Sequence, residues 1–170
     1  EAEEKFSELS ENNIEEDGSR NEADIEAVVN ILRSPFLTQG PVVPSFEKAV
    51  ATTVKANYGI ATNSATSALH IACLALGLGP GKRLWTSPNT FVASANCARY
   101  CGADVDFVDI EASTGLMSIS ALSSKLQLAE SNGTLPDVVV PVHLCGTSCD
   151  MESIGLLAQR YGFTVLEDAS

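Results

Sequence analysis

Three stretches of this chain hold side chains of the types and spacing that chemistry needs. In Thr62-Asn63-Ser64-Ala65-Thr66-Ser67 small and hydroxyl-bearing residues fall where a helix is predicted to begin, at about Ser64. The first turn of a helix has N–H groups without partners and the positive end of the helix dipole, so it attracts an anion. Ser64, Ala65 and Thr66 are small enough to let a phosphate approach the backbone, although ordinary N-capping by Ser64 or Asn63 uses the same residues. Ser87 to Asn96 sets Phe91 at the mouth of the same region. There its ring can lie flat on a planar heterocycle by offset stacking, or turn into the core. His143-Leu144-Cys145-Gly146 and Glu167-Asp168 each follow an apolar strand. A carboxylate at the buried end of a strand is costly to ionise unless something positive or hydrogen-bonding meets it. A protonated ring nitrogen would meet that need; the plainer readings are Asp168 as a helix cap and His143 as a satisfied structural histidine.

The elements that must position these residues follow from hydrophobic periodicity. Ile25, Val28, Val29 and Leu32 are spaced as one face of a helix, which Pro35 ends. Pro44 can open a second helix reaching about Ala56. Strands are predicted at Tyr58–Thr62, Arg83–Ser87, Asp104–Val108, Asp137–Val142 and Thr164–Glu167. Helices are predicted from about Ser64, over Phe91–Cys101, from a Ser118 cap to about Glu130, and over Met151–Tyr161. Strands alternating with helices imply an α/β fold of three layers with a mostly parallel sheet. In such sheets ligands bind at the carboxyl ends of the strands, where all three stretches fall.

Charge and composition narrow the classes further. Of the formal −12, residues 1 to 26 hold eleven acids against Lys5 and Arg20, a net of −9, which leaves −3 for the other 144 residues. The acidity belongs to a head segment, residues 1–20, expected to be flexible. A chain without a Lys/Arg cluster argues against nucleic acid or an anionic membrane as partner. No apolar run reaches the roughly 18 residues of a membrane span, and no basic start precedes an apolar stretch, so a cytoplasmic setting is expected. Five cysteines, Cys73, Cys97, Cys101, Cys145 and Cys149, are scattered through apolar context and read as reduced thiols. Cys97-x-x-x-Cys101 and Cys145-x-x-x-Cys149 are wider than zinc knuckles, so no metal site is expected. Gly77-Leu78-Gly79-Pro80-Gly81 follows a helix and contains proline, unlike a dinucleotide fingerprint, and no phosphate loop of the G-x-x-x-x-G-K-[ST] kind occurs.

Taken in order, six segments resemble the DegT/DnrJ/StrS family of sugar aminotransferases. They are Leu37-Thr38-Gln39-Gly40, Asn63 to Leu69, Ser87 to Asn96, Gly102 to Asp109, Pro141 to Gly146 and Glu167-Asp168-Ala169. Within the family the wording is similar to the transaminases that make UDP-4-amino-4,6-dideoxy-N-acetyl-β-L-altrosamine. The resemblance implies a fold-type-I large domain, of which residues 21–170 would be the N-terminal part, and pyridoxal 5′-phosphate as cofactor. It further implies that Ser64, Ala65 and Thr66 hold the phosphate, Phe91 stacks on the pyridine ring and Asp168 pairs with its protonated nitrogen. His143 would lie near the cofactor without an assigned role.

The implied reaction moves an amino group, with glutamate as the expected donor, to a nucleotide-linked 4-keto-6-deoxysugar for cell-surface glycans, in a homodimer. The resemblance also implies a Schiff-base lysine some twenty residues after the Glu-Asp pair. Lys5, Lys48, Lys55, Lys82 and Lys125 do not match that position, so it is expected beyond Ser170 and residues 1–170 alone are expected to be inactive. Two alternatives remain open: a dehydratase of the same family with histidine at that position, and a truncated binding module.

Overall fold

Val138, Val139 and Val140 are all buried, and such a fully apolar run belongs in the middle of a sheet covered on both faces. In the computed structural model, which describes residues 21–38 and 40–170, that is where it lies. The acidic head at residues 1–20 and Gln39 of the first resembling segment lie outside the described residues.

The described residues fall into two compact units, one reaching to Ala61 and the other residues 62–170. In the first, α1 (Glu22–Arg33) starts from an Asn21 capping box, in which Asn21 Oδ1 accepts the Asp24 N–H and Asp24 returns the bond to the Asn21 N–H. The helix α2 (Val42–Thr53) carries Pro44 in its first turn. It ends three residues short of the predicted Ala56, because Lys55 takes a left-handed conformation (φ 56°) and the Ala56 N–H turns back to the Ala51 carbonyl. Tyr58–Thr62 is not a strand, which corrects the sequence-based expectation. A strand needs a ladder partner, and this segment has none among the described residues. It leans on α2 instead: the Ala61 N–H donates to Glu47 Oε1 at 2.8 Å. Gly59 lies so close to α2 that a Cβ there would sit 2.5 Å from the Glu47 carbonyl oxygen, which is why glycine is needed.

The second unit is the predicted three-layer α/β arrangement. Its elements are α3 (Ala65–Ala75), β1 (Arg83–Thr86), α4 (Ala93–Tyr100), β2 (Asp104–Phe107), α5 (Ile119–Asn132), β3 (Val138–Val140), a 3-10 turn (Leu144–Gly146), α6 (Met151–Tyr161) and β4 (Thr164–Val165). The four strands are parallel in the order β2-β1-β3-β4, with Leu84 opposite Val138 and Val138 opposite Thr164.

Alternation along the strands divides the core into two halves. Leu84, Val138 and Val140 point to the face covered by Leu69 and Cys73 of α3 and by Ala93, Cys97 and Ala98 of α4. Trp85 and Val139 point to the other, covered by Leu122 and Leu126 of α5 and by Ile154 and Tyr161 of α6. Each helix end has a local cause. Ser64, Ser118 and Asp150 cap α3, α5 and α6 through side-chain oxygens, and Gly162 leaves α6 in the left-handed region at φ 78°.

Pairing between β3 and β4 continues past the regular strands. Thr164, Leu166 and Asp168 donate their N–H groups in turn to the carbonyls of Asp137, Val139 and Pro141, and Val142 pairs with Asp168. The last rungs of the sheet therefore deliver Asp168 and His143 side by side.

Candidate active site

The carboxyl ends of β1, β3 and β4 form a polar cluster whose centre is Asp168. Only 5% of this residue is exposed. Its Oδ2 accepts the Ser94 hydroxyl at 2.6 Å, and its Oδ1 accepts the Ser170 hydroxyl at 2.7 Å and the Ser170 N–H at 3.2 Å. Among the described residues no lysine, arginine or histidine lies within ion-pair distance of it. Hydrogen bonds thus satisfy the carboxylate, but no positive group balances it, which leaves the site suited to a cationic or N–H-bearing ligand atom.

Ser94 and Thr90 are site residues that sequence reasoning missed. Both lie in the Ser87–Asn96 segment, yet a serine in the first turn of a helix looks like any capping residue. Ser94 is fully buried on α4, and its hydroxyl also lies 2.7 Å from the Thr90 hydroxyl. Ser87, next in the chain to Thr86, is also buried, and its hydroxyl, like Trp85 Nε1 and the Tyr161 hydroxyl, has no hydrogen-bond partner among the described residues.

Phe91 is not in the core. The regular helix begins only at Ala93, so Phe91 stays on the preceding turn with 73% of its surface exposed, while its carbonyl accepts the Ser94 N–H. An exposed aromatic ring on the turn that Ser94 ties to Asp168 suits a stacking surface.

His143 adjoins Asp168 through the backbone, its N–H donating to the Asp168 carbonyl at 2.9 Å. Its ring is oriented from both sides. Nδ1 accepts the Cys149 N–H at 3.1 Å, so the ring proton sits on Nε2, which donates to Glu167 Oε2 at 2.8 Å. The following turn is strained: Cys145 has φ 53°, and only Lys55 shares a positive φ among the described non-glycine residues.

The Ser64–Thr66 turn forms as expected, but its hydroxyls bond one another. Ser64 Oγ accepts the Ser67 N–H, Ser67 donates to Asn63 Oδ1 at 2.7 Å, and Thr62 donates to the Ser64 carbonyl. Capping by Ser64 is therefore present, and it leaves the N–H groups of Ala65 and Thr66 without a partner among the described residues. No hydrogen bond joins this turn to the Asp168 cluster, so the structure links His143 to Asp168 by a backbone bond, Phe91 to Asp168 only through Ser94, and Ser64, Ala65 and Thr66 only by their place at the start of α3.

Cys73, Cys97 and Cys149 are buried in the core, whereas Cys145 is exposed. All five thiols are free, and Cys97 and Cys101 donate to helix carbonyls while Cys149 donates to the Val142 carbonyl. Burial pushes the Cys149 thiol up, and a hydrogen bond to Cys97 together with burial does the same for Cys73. Among the described residues no cluster of three or more His, Cys, Asp or Glu could hold a metal ion, and no helix is long and apolar enough to cross a membrane.

The chain is 43% identical over 147 residues to the spore coat polysaccharide biosynthesis protein SpsC of Bacillus subtilis, covering 86% of this chain and 36% of that protein. It is 35% identical over 149 residues to the UDP-4-amino-4-deoxy-L-arabinose–oxoglutarate aminotransferase of Shewanella sediminis, covering 88% of this chain and 37% of that one. The chain thus spans little more than a third of the length of these relatives. Among solved structures, NtdA of Bacillus subtilis, with its cofactor PMP bound, superposes with a TM-score of 0.75 at 31% identity, covering 88% of this chain and 34% of that one. The fold is that of fold-type-I pyridoxal-phosphate enzymes: NtdA holds PMP, and Spr1654 of Streptococcus pneumoniae is known in PLP and PMP forms. Residues 19–170 match the family model itself, and the chain belongs to the DegT/DnrJ/EryC1/StrS aminotransferase family.

Proposed function

We propose that the full-length protein containing this chain is a pyridoxal-phosphate-dependent aminotransferase acting on a nucleotide-linked 4-keto-6-deoxysugar, with glutamate as amino donor. The observation that carries the reading is Asp168, a buried carboxylate that accepts hydrogen bonds on both oxygens yet meets no cation. The cofactor, when bound, serves as an electron sink for the substrate's carbanion, and a protonated ring nitrogen deepens that sink.

The residues present fit that group. Asp168 would hold the ring-nitrogen proton, Phe91 would cover a ring face, and the free Ala65 and Thr66 N–H groups beside the Ser64 cap would receive the phosphate at the α3 N-terminus. His143, fixed by Cys149 and Glu167, would brace the loop beside Asp168. The covalent attachment lysine is proposed to lie outside residues 1–170, because none of Lys5, Lys48, Lys55, Lys82 and Lys125 matches the Schiff-base position that the family resemblance implies, and Lys82 and Lys125 are paired with Asp137 and Asp106. Activity is accordingly expected of the full-length protein and not of residues 1–170 alone.

The polysaccharide role named for SpsC and the UDP-sugar named for the Shewanella enzyme support a part in cell-surface glycan synthesis. A cytoplasmic homodimer is the setting proposed for it. Full-length protein with pyridoxal phosphate, glutamate and a UDP-4-keto-6-deoxysugar should yield the 4-amino sugar and 2-oxoglutarate, seen by mass spectrometry. Failure to aminate any of a panel of keto-sugars would overturn the reading, and loss of a sugar hydroxyl without amination would favour the dehydratase alternative.

A further inference from the structure

The Ser94 hydroxyl is at the centre of the buried cluster and has one proton to give. Three oxygens lie within its reach: Asp168 Oδ2 at 2.6 Å, Thr90 Oγ1 at 2.7 Å and the Phe91 carbonyl at 3.2 Å. Hydrogen bonds to an ionised acceptor are the shortest and strongest, and the Phe91 carbonyl already accepts the Ser94 N–H. The proton therefore goes to Asp168, and the Thr90 hydroxyl donates to the Ser94 oxygen. On the far side of the carboxylate the Ser170 N–H and hydroxyl donate to Oδ1.

We infer that Ser94, backed by Thr90, is a positioning residue that keeps Asp168 in the orientation and charge state a protonated ring nitrogen requires. The inference rests on the proposed role of Asp168 as partner of that nitrogen. A buried carboxylate without a cation can take up a proton itself or meet a cationic ligand. The alternative to a carboxylate facing a protonated ring nitrogen is a carboxylic acid that donates to an unprotonated one. Hydrogen bonds donated to a carboxylate favour its ionised form, and Thr90, by donating to the Ser94 oxygen, polarises the Ser94 hydroxyl towards giving such a bond. Ser94 also links two parts of the site: its N–H holds the Phe91 carbonyl while its hydroxyl holds Asp168. The turn that presents the stacking ring and the partner of the ring nitrogen are thus registered through one residue, which acts on the cofactor only through those two groups.

The test uses full-length protein loaded with pyridoxal phosphate carrying ¹⁵N in the ring, and reads the ring-nitrogen chemical shift and the cofactor dissociation constant in wild type, Asp168→Asn, Ser94→Ala and Thr90→Val. In Asp168→Asn the nitrogen signal should move to the unprotonated position. In Ser94→Ala it should move part of the way in the same direction, with cofactor binding weakened roughly tenfold, and in Thr90→Val it should move less but in the same sense. If Ser94→Ala keeps the wild-type signal and affinity and only unfolds at a lower temperature, Ser94 is merely structural and the inference fails while the role of Asp168 stands. If Asp168→Asn itself keeps the wild-type signal, the underlying reading fails. An unmoved Thr90→Val would remove Thr90 from the relay, and should Ser94→Ala not fold, the Thr90→Val signal decides alone.

Discussion

The backbone N–H of His143 donates to the Asp168 carbonyl at 2.9 Å, one rung beyond the Val142–Asp168 pair. Two residues 25 positions apart, each at the end of its own apolar run, are therefore locked together by the last turn of the sheet ladder. The ladder fixes their backbones, while their side chains keep separate partners, Glu167 and Cys149 for His143 and Ser94 and Ser170 for Asp168, and the consequences can be measured.

Removing the charge of Asp168 should damage chemistry more than folding. In Asp168→Asn the amide oxygen can accept from Ser170 and the amide NH2 can donate to the Ser94 hydroxyl, so the apo-protein should remain folded. The electrostatic support for a ring-nitrogen proton is gone, and kcat for amino transfer should fall about 10²- to 10³-fold. Steady-state kinetics alongside circular dichroism of the apo-protein checks both halves.

Phe91 should behave in the opposite way to a core aromatic. Because 73% of its surface is exposed, Phe91→Ala should leave the thermal midpoint of the apo-protein nearly unchanged. Loss of stacking worth about 0.5–1.5 kcal/mol should weaken cofactor binding by roughly two- to twelvefold. A fluorescence titration with pyridoxal phosphate reads the second effect.

Leu122 supplies the contrast. Its side chain is fully buried between α5 and the sheet beside Trp85 and Val139. Leu122→Ala leaves a cavity there and should cost about 2–5 kcal/mol of stability, measured as a lowered urea midpoint, with cofactor affinity in the folded fraction preserved.

The Asp150 cap of α6 carries a pH signature. The Ser153 N–H and then the Ser153 hydroxyl hold the Asp150 carboxyl below its ordinary value. A carboxyl lowered in the folded state contributes stability that is complete above its unfolded value of about 4 and is lost as pH falls through the folded value. Urea midpoints of wild type and Asp150→Ala should therefore differ most near neutral pH and converge as the pH drops below about 4.

Gly59 should tolerate no side chain. A Cβ would meet the Glu47 carbonyl oxygen at 2.5 Å, and a helix backbone cannot yield as a flexible side chain can. Gly59→Ala should detach the segment from α2 and break the Ala61 to Glu47 bond, which faster amide exchange at Ala61 would report.

Much of this protein follows from local pattern. The alternation of strands and helices, the Ser64, Ser118 and Asp150 caps and the wholly apolar Val138–Val140 run depend on neighbours within a few positions, so periodicity and capping chemistry determine them. The same holds for Asp168 and His143 as strand-end residues, and for the open N–H groups at the start of α3. What depends on distant partners was decided only by the tertiary structure. Tyr58–Thr62 has the composition of a strand, but a strand exists only where another lies beside it, and the described residues provide none. Phe91 reads as the start of a helix; where α4 actually begins leaves the ring outside it and exposed. The Thr90–Ser94–Asp168 line spans 74 positions between Ser94 and Asp168, and no local signal marks a serine whose hydroxyl will meet a carboxylate delivered by a strand three crossovers later. Propensity acts along the chain, whereas a buried charge finds its hydrogen bonds across the sheet, and in this protein the candidate chemistry lies with the second.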